Sequence, residues 1–273
     1  LYPLQRISVS LLLIAVPVPV PAGNPYGFSS GATEAGMGST SVTGKGFWTS
    51  FNNQASLAFN KHISAGFNHV SRFGISELGI RSAGIVIPAG QSSIGFVYSN
   101  FGYTEFRRTM TGLACGLALS RDIAAGIQID YLTENPSMDY PGRQSVTFEA
   151  GLLVTTPGST VVGIHVFNPV PNSLRKSNLP STLTIGAGTE LGNSLLGAAE
   201  IEMDQRNRAL LRLGCEYNPK RQLWLRTGFS TGNTSFSFGF GYHFRSIKLD
   251  LAFATHEKLG LTSSASIIFS TRR

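Results

Sequence analysis

From Ser235 to Phe244 every second residue is aromatic: Phe236, Phe238, Phe240, Tyr242 and Phe244 alternate with Ser235, Ser237, Gly239, Gly241 and His243. Successive side chains of a strand point to opposite faces, so this segment has one aromatic face and one small or polar face. The pattern recurs along the chain. Ile247, Leu249, Leu251 and Phe253 oppose Lys248, Asp250, Ala252 and Ala254. Ala209, Leu211, Leu213, Cys215 and Tyr217 oppose Arg212, Gly214 and Glu216. Ile123, Ile127, Ile129 and Tyr131 oppose Gly126, Gln128 and Asp130, and Val146, Phe148 and Leu152 oppose Thr147, Glu149 and Gly151. A soluble β-sandwich also buries such faces, so alternation alone leaves two architectures open.

Breaks at Gly, Pro, Asn and Asp place strands near 61–70, 77–87, 91–100, 111–120, 122–132, 145–155, 159–168, 181–190, 193–203, 207–217, 221–230, 233–243, 246–255 and 260–270. Each approaches the ~9–11 residues with which a tilted strand crosses a bilayer. The connections separate the two architectures. Every second one is tight: Pro88-Ala89-Gly90, Ser120-Arg121, Thr156-Pro157-Gly158, Leu191-Gly192, Asn218-Pro219-Lys220 and Phe244-Arg245. The alternate set holds the longer links, 100–110, 133–144 and 168–180. Outer-membrane barrels have short periplasmic turns and longer external loops, whereas a sandwich has no reason to sort loop length by parity. The expected fold is all-β, a transmembrane antiparallel β-barrel of about 14 strands. An even strand number leaves the N- and C-termini periplasmic.

Composition agrees. Only 14% of the chain is charged, against about 25% in a typical soluble domain. The net charge of +7 is spread over Arg107-Arg108, Arg175-Lys176 and Lys220-Arg221, at connections between strands, and Arg272-Arg273 after the last strand. That suits turns and lipid headgroups and gives no nucleic-acid surface. Cys115 and Cys215 share the apolar parity of their strands and read as small lipid-facing residues, with a disulfide as the alternative. No histidine, cysteine or acid group has metal-ligand spacing, so no cofactor is expected. Residues 1–23 have a cation at Arg6, an apolar run from Ile7 to Val16 and prolines at 17, 19 and 21. This is the layout of a secretory signal peptide, too short for a spanning helix of about 20 residues. The expected division is 1–23 signal peptide, 24–60 plug or lead-in, and 61–273 barrel.

About eight strands already close a barrel that side chains can fill, so a larger one must be plugged or wet. The Gly- and Ser-rich region 24–60 is the candidate for a short N-terminal plug. Gly36 and Gly38 flank Met37 and permit close backbone approach, while Phe47, Trp48 and Phe51 give an apolar side, followed by Asn52 and Asn53. Here Gly31-Ala32-Thr33-Glu34-Ala35-Gly36-Met37-Gly38 and Phe51-Asn52-Asn53-Gln54-Ala55-Ser56-Leu57-Ala58 resemble the start of the PorV/PorQ proteins of Bacteroidetes. Those proteins have GARAAGMGGA followed by FNNPAGLA and belong to a wider group of FadL-like barrels; this chain has Gln54 in place of Pro and Ser56 in place of Gly. The resemblance implies a role beside type IX secretion, with secretion-system proteins or exported cargo as partners. The alternative it carries is a FadL-like channel for a small hydrophobic molecule.

The inward parity of the late strands gathers Glu200, Glu202, Asp204, Arg212, Glu216, Arg226, Lys248 and Asp250, a candidate lumen charge cluster. Such charges pair across strands or stay wet, and a structural ion-pair ladder is the plainer reading beside a selectivity or ligand site. No nucleophile elbow or oriented acid pair is present, so no enzymatic chemistry is expected. The expected home is the bacterial outer membrane, with its lipid as the first partner.

Overall fold

The computed structural model describes residues 31–136, 141–170, 179–204, 209–232 and 235–271. The region read as a signal peptide, 1–23, lies outside them, as does the start of the lead-in. Fourteen antiparallel strands form a closed barrel in which each strand pairs with its sequence neighbours and β1 closes on β14. They are β1 Ser64–Ser71, β2 Ile80–Ala89, β3 Ser92–Gly102, β4 Arg107–Ala118, β5 Ile123–Asn135, β6 Arg143–Thr155 and β7 Thr160–Phe167. The other half comprises β8 Thr182–Leu191, β9 Leu195–Asp204, β10 Ala209–Lys220, β11 Leu223–Ser230, β12 Ser235–Phe244, β13 Ile247–His256 and β14 Gly260–Ser270. Closure removes the edge strands that an open sheet would expose.

The alternation resolves into an inside and an outside. On β12 the five aromatics are exposed outward while Ser237, Gly239 and Gly241 are buried inward. On β5, Ile127 and Ile129 are 60% and 57% exposed while Gln128 and Asp130 between them are buried. A soluble protein hides such residues; a barrel wall offers them to lipid. Cys115 and Cys215 are both free, and Cys115 is exposed on this outer face.

Three sequence expectations shift. The 100–110 and 133–144 segments are largely strand, because β3 and β4 pair out to Gly102 and Arg107, and β5 and β6 out to Glu134 and Arg143. Residues Asn218-Pro219-Lys220, read as a turn, belong to β10, whose register to β11 shifts between Tyr217 and Lys220. Proline has no N–H for the ladder, and a bulge accommodates it. β2 begins at Ile80, not 77, because Ser76–Leu78 form a 3-10 turn after Phe73 and Gly74, both at positive φ.

Residues 31–60 lie inside the barrel. They comprise helix α1 (Ala32–Gly36) and the 3-10 turns Thr49–Phe51 and Gln54–Phe59. This lumenal segment runs around the inner wall: α1 packs on β11 to β14, and the second 3-10 turn packs on β2 to β6.

Candidate functional site: the filled lumen

The segment fits because the wall is hollowed by glycine. Gly66, Gly84, Gly95, Gly116, Gly126 and Gly151 on β1 to β6 face Phe47, Phe51, Asn53, Gln54 and Leu57. Gly163, Gly186, Gly214, Gly228 and Gly239 on β7, β8, β10, β11 and β12 face Val42, Thr40, Met37, Gly38 and Gly36. A methyl group on Gly239 would sit 3.1 Å from the α-carbon of Gly36, and one on Gly126 would overlap the carbonyl of Gln54. Many belt glycines are register partners: Gly66 with Gly84, Gly116 with Gly126, Gly126 with Gly151, Gly163 with Gly186 and Gly214 with Gly228.

Polar pins hold the segment at intervals. Ala32 N donates to Ser266 Oγ at 3.1 Å; Gly38 N donates to Ser237 Oγ at 2.8 Å, which in turn donates to Gly36 O at 3.0 Å. Ser41 N and Val42 N both donate to Glu200 Oε1. Asn53 Nδ2 donates to Val42 O at 2.7 Å, and Gln54 Nε2 donates to Glu149 Oε2 at 2.7 Å. Asn52 is half-buried, and its Nδ2 has no partner among the described residues.

The two halves of the lumen differ. Phe47, Trp48 and Phe51 form one aromatic group, with Phe47 edge-on to Trp48 at 5.0 Å and to Phe51 at 5.7 Å. They pack with Leu57 against inward Val70, Ile80, Val97, Met110, Leu132, Phe167 and Ile268. Several of these, Val70, Ile80 and Phe167 among them, sit where their strands meet the longer connections. Each aromatic pair adds ~0.5–1.5 kcal/mol beyond area burial.

The opposite half holds the late-strand charges, which the structure divides into two groups. Arg212 meets Glu202 at 2.7 Å and Glu200 at 3.9 Å, and Arg226 meets both Glu216 and Asp250 at 2.6 Å. Arg226 and Asp250 are buried, so these are fully committed ion pairs in which an arginine offers several donors at once. Lys248 shares their parity but is exposed, and no ion pair joins it to them among the described residues. Asp204 is half-buried at the end of β9.

Glu34 was not among the sequence candidates. It is 2% exposed, its Oε2 has no partner among the described residues, and it belongs to the lumenal segment, outside the spanning strands. Burial pushes its carboxyl from an ordinary 4.5 up to about 8, while a backbone N–H and Arg226 act in the other direction. A second group was also missed: Gln128, Asp130, Glu149 and His165 on β5 to β7, with Gln54 above them. Its signal was in the sequence as inward polar parity on the early strands, where only the late strands were read for charge.

A cavity of about 370 Å³ lies between the segment and the wall, lined by Met37, Phe47 and Trp48 on one side and Leu196, Ala198 and Ile268 on the other. Trp224, stacked on His243 at 3.6 Å, also lines it, and its polar side includes Glu34, Lys45, Glu190, Glu216, Arg226, Lys248 and Asp250. Most of its wall residues lie at the strand ends joined by the tight turns.

Closed wall, lipid-type exterior and occupied lumen together define a plugged β-barrel of the outer-membrane kind. The fold is shared with solved transporters. The Ralstonia pickettii toluene transporter TbuX superposes with a TM-score of 0.68 at 13% identity, over 89% of this chain and 98% of that one. The Pseudomonas putida toluene transporter TodX gives 0.65 at 13%, over 88% and 97%. A Pseudomonas aeruginosa FadL homologue gives 0.60 at 11%, over 88% and 97%. This is the FadL-like barrel fold. No protein-family model and no curated protein matches the sequence.

Proposed function

We propose that the chain is an outer-membrane channel for small apolar molecules, the second of the two readings the sequence carried. One observation carries it: a buried apolar cluster, with Phe47 and Trp48 reaching from it into a cavity of mixed lining, lies inside a barrel, where outer-membrane proteins ordinarily keep polar side chains and water. The shared fold with proteins described as toluene transporters supports the same reading. The tight turns and both chain ends face the periplasm in this reading, and the cavity is the inner vestibule. Residues 31–60 are its plug, and the first barrel strand follows at Ser64. The channel needs no cofactor, performs no chemistry and binds no nucleic acid.

The test is uptake of toluene into vesicles with lipopolysaccharide in the outer leaflet, which slows apolar solutes by itself. Protein-dependent uptake of toluene, with a sugar of similar size excluded, is expected; equal rates with and without protein would overturn the reading. The role beside type IX secretion rests on the two N-terminal motifs. Both motifs are explained by packing, since Gly36, Gly38, Asn53 and Gln54 seat against the barrel wall. Co-purification of the native-level protein with secretion components would restore that role.

A further inference from the structure

Two lumenal acids lack the partner that the late-strand acids have. Glu202, Glu216 and Asp250 each meet an arginine, but no lysine or arginine pairs with Asp130 or Glu149 among the described residues. Both are buried, Asp130 on β5 and Glu149 on β6, on neighbouring rows where Asp130 faces Thr147 and Glu149 faces Gln128. Gln128 stands opposite Glu149 in register and donates to Asp130 Oδ1, which sets the two carboxyl groups side by side on the inner wall. Two ionised carboxylates have no hydrogen to place in such a contact, and like charges this close cannot both persist in a buried site. Apart from the neighbouring acid, Asp130 Oδ2 has no donor among the described residues.

Among the described residues, the surrounding elements supply no compensating cation other than a histidine. Gln128 Nε2 donates to Asp130 Oδ1 at 2.7 Å, and Gly112 of β4 and Val97 of β3 close the far side without charge. His165 Nε2 of β7 lies 2.9 Å from Glu149 Oε2, the oxygen that also accepts from Gln54 of the lumenal segment. Glu200 and Glu202 of β9 face His165, and Arg212 of β10 already meets both.

We propose that Asp130 and Glu149 hold one proton between them, and that this proton keeps the lumenal segment seated through Gln54. When it leaves as pH rises, the second charge must find water. Gln54 bars the way: it is fully buried and its backbone lies against Gly126 and Gly151 with no room to spare. Hydration therefore lifts the segment from the belt. The switch stands whether or not the barrel passes solutes, because its readout is the seating of the segment.

The chain has two tryptophans, Trp48 in the segment and Trp224 on the wall. Trp224→Phe leaves Trp48 as the sole reporter, and Glu34→Gln removes the acid that sits with it beside Gly31. In this background, acrylamide quenching of the detergent-purified barrel from pH 5 to pH 10 is expected to rise severalfold in a single one-proton step. Asp130→Asn and Glu149→Gln each leave one charge and an amide donor, and are expected to stay weakly quenched throughout. Gln54→Ala is expected to be strongly quenched already at pH 5, and His165→Gln to keep the step. A heat-modifiable gel band reports assembly, and Glu149→Gln serves alone where Asp130→Asn fails to assemble. Absence of the step, its survival in both acid variants, or its loss in His165→Gln alone would overturn the proposal.

Discussion

Gly38 and Gly228 meet backbone to backbone: a methyl group on Gly228 would overlap the amide nitrogen of Gly38, which itself takes φ +68. Neither side can give, because Gly38 N is bonded to Ser237 Oγ and Gly228 is fixed in register opposite Gly214. Overpacking typically costs about 1–3 kcal/mol, and an obstacle made of backbone belongs at the upper end. Gly228→Ala is expected to lower the melting temperature of the purified barrel and to expose Trp48. Gly158→Ala is the control, since nothing lies within 4 Å of a methyl group there. Equal melting of the two variants would show that the belt does not seat the segment.

Arg226 ties Glu216 and Asp250 together in the wall. Removing one member of a buried pair leaves an uncompensated charge, at a cost of about 3–5 kcal/mol. Arg226→Met is therefore expected to be strongly destabilising in denaturant melts, and adding Glu216→Gln with Asp250→Asn to recover much of the loss. Lys248→Met, at an exposed position outside these pairs, is expected to melt like the parent.

Glu34 gives a pH dependence of defined sign. Its carboxyl is raised from 4.5 to about 8 by burial, so the folded protein favours the protonated form. Its contribution to stability is fully present below 4.5 and is lost as pH rises through about 8. Glu34→Gln is expected to match the parent in melting temperature at pH 5 and exceed it at pH 9. A constant difference across that range would assign Glu34 no titrating role.

The barrel was legible because membrane and lumen impose opposite demands on alternate residues, and a period of two survives in any window. Strand boundaries were less legible where pairing outran hydrophobicity, as in Arg107 and Arg143, polar residues held in strand by their neighbours. The two arginine-centred groups were half visible: parity collected the eight late-strand residues, but only cross-strand register separates Arg212 from Arg226 and leaves Lys248 outside. The inward parity of Gln128, Asp130 and Glu149 was visible, but the part Gln54 plays in that group was not, because it comes from a segment 95 residues away. Inward glycines were visible as strand residues on one parity, yet their purpose appears only once Gly36, Gly38 and Val42 are seen against them.

Trp48 both lines the cavity and belongs to the buried cluster that continues toward the longer connections. The aromatic group thus stands between the cavity and the strand ends that meet the longer connections. Truncating a buried aromatic to alanine costs about 3–5 kcal/mol, so Trp48→Ala lowers stability under either functional reading and melting alone does not discriminate. Flux does. If solutes pass through the lumen, the space vacated by the indole joins the cavity to the cluster around Met110 and Leu132, and uptake of toluene by the assembled variant rises severalfold. Trp224→Ala widens the cavity on its wall side without breaching that partition, and is expected to leave uptake near the parent rate. Uptake unchanged in Trp48→Ala, with the barrel intact by heat-modifiable migration, would remove the lumen from the path and with it the role of the cavity as vestibule.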